Sequence, residues 1–310
     1  MLYRDLASQE AIDRAYDPMR GRDPAALLAD WRERSAVSCQ RHRVTLDLPY
    51  GPTLAECLDL YHAEGMGEER AEERAEGREE GREEGREEGR EEGEPAPCHL
   101  FFHGGYWRSL SHKEFGFVVD GLVASGITVA VVNYALCPAV AFGEVVRQSR
   151  AALAWVHRNA VSLGVDPERL SVSGHSAGGH LCAMLLATDW EGVYGLPKDL
   201  IKGALCVSGL YDLGPFPWSW LQPKLQLTGR DVIDYSPVGL PCRVPAEVQL
   251  VAGSEESSEF ARQMQAYAEH LRGRGIGVES TLLEGDDHFS ILDHYRPGGR
   301  FVEGITAFHP

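Results

Sequence analysis

The chain has 310 residues, 43% of them hydrophobic, and a formal net charge of −17. That length can bury a sizeable core as one large α/β domain or as two small ones. The acidic balance argues against nucleic acid or an anionic membrane as a partner, although residues 64–94 alone hold fifteen Glu and six Arg, a net of −9.

The opening MLYRDLASQE has no apolar run of the kind a secretory signal needs, and no stretch of 18 apolar residues occurs anywhere. Seven scattered cysteines without a C-x-x-C pair suit a reducing compartment, so a cytosolic location is expected. Residues 1–43 read as a charged helical lead-in. Arg43–Leu48 and Ala55–His62 are the first strand candidates, separated by the turn signal Pro49-Tyr50-Gly51-Pro52. From residue 77 the chain repeats Gly-Arg-Glu-Glu with period four. That period stacks like charges at i,i+4, and each glycine costs a helix about 1 kcal/mol against Ala. With nothing apolar to pack, residues 65–94 are expected to be a disordered insert between two strands.

After Pro95-Ala96-Pro97 the pattern changes. His99–His103 and the β-branched Ile127–Asn133 are expected strands, with a helical stretch at Phe115–Ser125 between them. Ala141–Asn159 and His180–Thr188 read as helices. Arg169–Ser173, Gly203–Ser208, Val248–Ala252 and Val278–Leu283 read as strands. Helices alternating with strands imply a mostly parallel sheet covered on both faces. Cys98, His99 and His103 lie close together, but no second cluster completes a metal site, so no metal is expected there.

Gly174-His175-Ser176-Ala177-Gly178 fits G-x-S-x-G between a strand and an Ala-rich helix. Such a turn strains the serine backbone and requires small residues two positions either side. The following helix aims its positive end at the place where an oxyanion would form. His103-Gly104-Gly105-Tyr106-Trp107 follows another strand. Its glycines allow the N–H groups of Gly104 and Gly105 to join that of Ala177 as an oxyanion hole. A base and an acid should then follow in the order Ser, acid, His. His288, after the last strand, is the expected base, and His294 in a helical stretch is a weaker competitor. The acid should follow Val248–Ala252, where only Glu is present. Glu256 is the first choice, with Glu255 and Asp212 open as alternatives. The bland readings are a Gly-Gly turn, a surface-loop histidine and a loop-bracing aspartate. The co-occurrence and order of the motifs favour catalysis.

These motifs resemble the kynurenine formamidase (arylformamidase) family of α/β-hydrolases, neighbours of the hormone-sensitive-lipase-like esterases. Leu48-Pro49-Tyr50-Gly51, Ala187-Thr188-Asp189-Trp190, Val207–Leu213 and Asp287-His288-Phe289 extend the likeness over most of the chain from about residue 16. The resemblance implies one α/β-hydrolase domain over residues 1–310 that hydrolyses N-formyl-L-kynurenine in tryptophan degradation. The catalytic residues would be Ser176, Glu256 and His288, with no cofactor. The expected partner is a small aryl formamide, with neither nucleic acid nor membrane; a homodimer is left open. Tyr106 and Trp107, with Phe216 and Trp218, are candidates for aromatic walls, with core packing as the equal alternative. Two departures stand out: Glu256 falls where the family commonly has Asp, and Ser257-Ser258-Glu259-Phe260 replaces a Ser-Pro-Glu-Phe ending.

Overall fold

A computed structural model describes residues 2–64 and 95–309, so the expected disordered insert lies outside the described residues. Eight strands form one sheet in the order β1-β2-β4-β3-β5-β6-β7-β8. They are β1 (Val44–Pro49), β2 (Cys57–Tyr61), β3 (Ala96–Phe102), β4 (Thr128–Val132), β5 (Val165–His175), β6 (Gly203–Val207), β7 (Glu247–Gly253) and β8 (Val278–Leu283). β1–β2 and β2–β4 are antiparallel, and every later pair is parallel. This is the mostly parallel sheet that the alternating pattern implied, in the α/β-hydrolase architecture expected from the resemblance.

The two-residue period of the strands divides the core. Leu100, Phe102, Ala130, Val132, Ala204 and Cys206 face one apolar layer, where they meet Trp107, Tyr134 and the helix Ala177–Leu186. Phe101, Val129, Val131, Leu205 and Val207 face the other, with Phe115, Tyr295 and Phe301. Both layers are dry because strands β4 and β6 are buried along their whole length. The same alternation separates Cys98 from His99. The His99 ring is held by the hydroxyls of Ser171 and Ser173, at 2.7 and 2.6 Å, so it is committed to the sheet.

The lead-in is a strap across the carboxyl edge of the sheet. It carries α1 (Gln9–Ala15) and α2 (Pro24–Arg41). Ser8 and Asp23 cap the two helices, and Pro24 occupies the first turn of α2, where no N–H partner is needed. The strap is fastened at Tyr16, which is fully buried. Its hydroxyl donates to Glu259 at 2.7 Å and accepts from Gln263 at 2.8 Å, while its carbonyl accepts from Tyr106 at 2.7 Å. Arg22 pairs with Asp287, and Trp31 of α2 packs against Phe115 and Phe289. Tyr16→Phe should therefore cost about 1–3 kcal/mol, because Gln263 and Glu259 each lose a buried partner. Urea denaturation measures this, and an unchanged midpoint would place the fastening elsewhere.

Candidate active site

Ser176 sits between β5 and the helix Ala177–Leu186 with φ 57° and ψ −115°. A non-glycine residue held there stores on the order of 1–3 kcal/mol of strain. The surrounding contacts enforce it. The Ser176 N–H donates to Val207 O at 2.8 Å, tying the turn to β6. A Cβ on Gly178 would collide with the Phe102 carbonyl, and one on Gly174 with the Gly178 backbone. Only glycine at both positions lets the helix start this close to β3. No described residue hydrogen-bonds the Ser176 hydroxyl, and its side chain lines a cavity of about 380 Å³.

The HGGYW loop leaves β3 beside it. Gly105 has φ +106°, and any side chain there would meet the Ser109 carbonyl. A Cβ on Gly104 would stand 3.3 Å from the Ser176 Cβ, which measures how close the two loops run. The Gly104 and Gly105 N–H groups find no acceptor among the described residues. Ala177 opens its helix, where N–H groups have no intrahelical partner. His103 shapes the loop from below. Its Nδ1 donates to Gly104 O at 2.7 Å, and its ring stacks on Tyr134 at 4.2 Å. Tyr134 in turn donates to His103 O at 2.6 Å. Burial pushes the His103 pKa down to about 4, so it is neutral at pH 7.

Across the cavity, His288 follows β8 and Glu256 follows β7. Glu256 Oε2 accepts from His288 Nδ1 at 2.6 Å. Its Oε1 accepts from Ser208 Oγ at 2.6 Å and from the Gly253 N–H at 2.7 Å. Both oxygens are thus committed and the carboxylate is almost fully buried. The longer Glu side chain is accommodated by these two extra donors. Of the alternatives, Glu255 is exposed, and Asp212 bonds Tyr3 at 2.6 Å and the Gly214 N–H. His294 is paired with Asp286 at 2.7 Å. His175 donates from Nε2 to the His288 carbonyl at 2.7 Å, a positioning contact that the sequence did not suggest. Burial holds His175 well below the ordinary imidazole range.

The four aromatic candidates divide between the two readings left open. Tyr106 lines the cavity, but Trp107 and Phe216 are wholly buried and Trp218 is half exposed away from it. Trp107 donates to His180 at 3.2 Å and packs on Phe142. The aromatic lining comes instead from Trp31, Phe115, Trp220 and Phe289, with Leu27 and Leu28. The α2 contributions were invisible in sequence because the lead-in carries no motif. The metal-like grouping among the described residues is Asp47, Cys57 and His112, and Lys113 already bonds Asp47 and Asp59 there at 2.8 Å.

Fold and site together define a hydrolase of the α/β-hydrolase class. The BD-FAE family model matches residues 88–192. The chain is 30% identical to a kynurenine formamidase of Danio rerio over 256 residues, covering 80% of this chain and 75% of that one. It is 39% identical to a carboxylesterase of Mycobacterium tuberculosis over 223 residues, covering 63% of this chain and 68% of that one. A Silicibacter structure described as a candidate thioesterase shares the fold, with TM-score 0.77 and 24% identity over 95% of this chain and 98% of that one. The chain belongs to the kynurenine formamidase family, among relatives that include esterases of the same architecture.

Two outcomes follow from this geometry. Glu256→Gln replaces an acceptor with a donor facing His288 or Ser208, and should lower turnover by on the order of 10²–10⁴. The exposed Glu255→Gln should stay within about two-fold of wild type. Equal rates for all three proteins would remove Glu256 from the site. The buried imidazoles also set a pH window. His103 and His180 both titrate at about 4 in the folded chain, against about 6.5 when unfolded. Between those values the unfolded chain binds more protons. The stabilisation is therefore complete above about pH 6.5 and is lost as pH falls toward 4, at up to about 1.4 kcal/mol per unit for each histidine. Denaturation midpoints at pH 7 and pH 5 test this; identical stabilities would contradict it.

Proposed function

We propose that this chain is a kynurenine formamidase, hydrolysing N-formyl-L-kynurenine to L-kynurenine and formate. The carrying observation is that Ser176, His288 and the unpartnered Gly104 and Gly105 N–H groups meet in one cavity whose walls are apolar and aromatic. Descent supports the same reading. In this mechanism Ser176 Oγ attacks the formyl carbon as its proton passes to His288 Nε2. The imidazolium is stabilised by Glu256 through Nδ1. The oxyanion receives the N–H groups of Gly104, Gly105 and Ala177, each worth about 3–4 kcal/mol in the transition state. Collapse breaks the C–N bond, and His288 returns the proton to the departing arylamine. Water, deprotonated by His288, then attacks the formyl ester; the C–Oγ bond breaks, His288 returns that proton to Ser176 Oγ, and formate is released.

Every group used in these proposed steps comes from this one chain. No helix among the described residues is long and apolar enough to cross a membrane, and all seven cysteines are free. We place the enzyme in the cytosol, acting on a small molecule. Carboxylester hydrolysis is the second reading, favoured by the likeness to the mycobacterial carboxylesterase. Measuring kcat/KM on N-formyl-L-kynurenine and on short-chain acyl esters separates the two. The formamide should be the better substrate; ester turnover without formamide turnover would overturn the first reading. A fluorophosphonate probe should label the wild type and not Ser176→Ala.

A further inference from the structure

We propose that Arg108 and Asp17 form a subsite for the α-amino-acid end of the substrate, Arg108 receiving the carboxylate and Asp17 the ammonium. The inference rests on the formamidase reading and adds to it a cause of specificity. The reactive formamide occupies one end of N-formyl-L-kynurenine and a zwitterion the other, with the aromatic ring between them. A cavity built for it needs an apolar middle and charges away from the serine.

Arg108 is the one Lys or Arg among the described residues lining the cavity. Its guanidinium lies over the Trp220 ring, 4.7 Å from the centroid, and the Trp220 backbone N–H donates to Asp13 at 2.7 Å. Stacking fixes the plane of the fork while leaving its edge available. Of the nearby arginines, Arg22 pairs with Asp287, Arg32 with Glu114 and Arg262 with Glu259, while Arg14 and Arg20 are exposed and do not line the cavity. Arg108 makes no ion pair with any described carboxylate, and its Nε is buried without a hydrogen-bond partner. A guanidinium without a carboxylate partner at an apolar cavity can receive a ligand carboxylate through its terminal Nη groups. The backbone sets the distance from the chemistry, because the Arg108 N–H donates to Gly105 O at 3.1 Å within the loop that carries the proposed oxyanion donors.

Asp17 comes from the strap and lines the same cavity. Its Oδ1 accepts from the Met19 N–H at 3.1 Å, which orients the carboxylate, and no described cation pairs with it. Asp17 and Trp220 also line a shallow depression beside the cavity, together with Asp13, Arg14 and Arg20. The lining contributed by Leu27, Leu28, Trp31 and Phe115 carries no charge.

The test uses three formamides on the intact chain: N-formyl-L-kynurenine, N-formylkynuramine, which lacks the carboxylate, and 2′-formamidoacetophenone, which lacks both charges. Wild type should favour the first over the third by roughly 10- to 100-fold in kcat/KM, chiefly through KM. Arg108→Gln should remove the preference for N-formyl-L-kynurenine over N-formylkynuramine, and Arg108→Lys should restore part of it. Asp17→Asn should shrink the preference for N-formylkynuramine over 2′-formamidoacetophenone. Equal loss on all three substrates in Arg108→Gln would make it a shaping residue of the Gly105 turn and overturn the subsite. So would equal wild-type rates on all three, while leaving the formamidase reading intact. No formamide turnover at all would sink both. Inhibition of the wild type needs no variant: L-kynurenine should bind tighter than kynuramine, and equal inhibition would overturn the carboxylate assignment.

Discussion

The close approach of the Ser176 turn to β3 is the constraint on which the rest of the site depends. The helix Ala177–Leu186 begins against the Phe102 carbonyl, with no room for a side chain at Gly178. That contact bends the serine into a strained backbone region and brings the turn beside Gly104. Because β3 and β5 are parallel neighbours in register, Phe102 opposite Gly174, the two loops leave the sheet at the same edge. The proposed nucleophile and the proposed anion-stabilising donors are thereby placed together by strand pairing rather than by any flexible connection.

The remaining groups exploit the same edge from successive strands. β6 supplies Ser208, β7 supplies Glu256 and β8 supplies His288, and the parallel registers hold their loops side by side. A buried carboxylate is costly unless its oxygens are satisfied. Here three donors satisfy it, one being His288. The Glu-for-Asp departure is thus compensated locally: Ser208 and the Gly253 N–H hold the extra methylene in one place, and the imidazole still receives its partner.

What could be read from the chain beforehand follows from how local the cause is. The strands announced themselves through β-branched runs, and Val278–Leu283 lies where it was expected because its signal is contained within six residues. Ser176 and the glycine loop were visible because steric demands act on adjacent positions. The choice of Glu256 over Glu255 was less legible, since it turns on which of two neighbours points inward, a matter of the 3.3 Å hydrogen bond from the Glu256 N–H to Gly253 O and the turn it closes. The strap was illegible as part of a site. Tyr16 reaches Glu259 and Gln263 across more than 240 positions of chain, and no periodicity encodes such a contact. Trp107 shows the opposite case: for an aromatic in the most recognisable motif, cavity wall and core were equally open in the sequence, and it is core, bonded to His180 of the helix Ala177–Leu186.

This division also bears on how one fold serves both amide and ester chemistry. The sheet-edge loops carry the groups proposed for acyl transfer, and relatives of either kind can share them. Most of the apolar cavity wall comes from elsewhere. α2 roofs the cavity with Leu27, Leu28 and Trp31, and the segment after β6 supplies Trp220. A cavity of about 380 Å³ lies near the lower end of the usual range for small-molecule sites, roughly 300–1,000 Å³, which suits a single-ring substrate. Changing the strap would therefore alter which carbonyl reaches Ser176 without disturbing the turn that activates it. Selection for a new substrate meets least resistance there, because the strap bears none of the backbone strain that ties Ser176, Gly178 and Phe102 together.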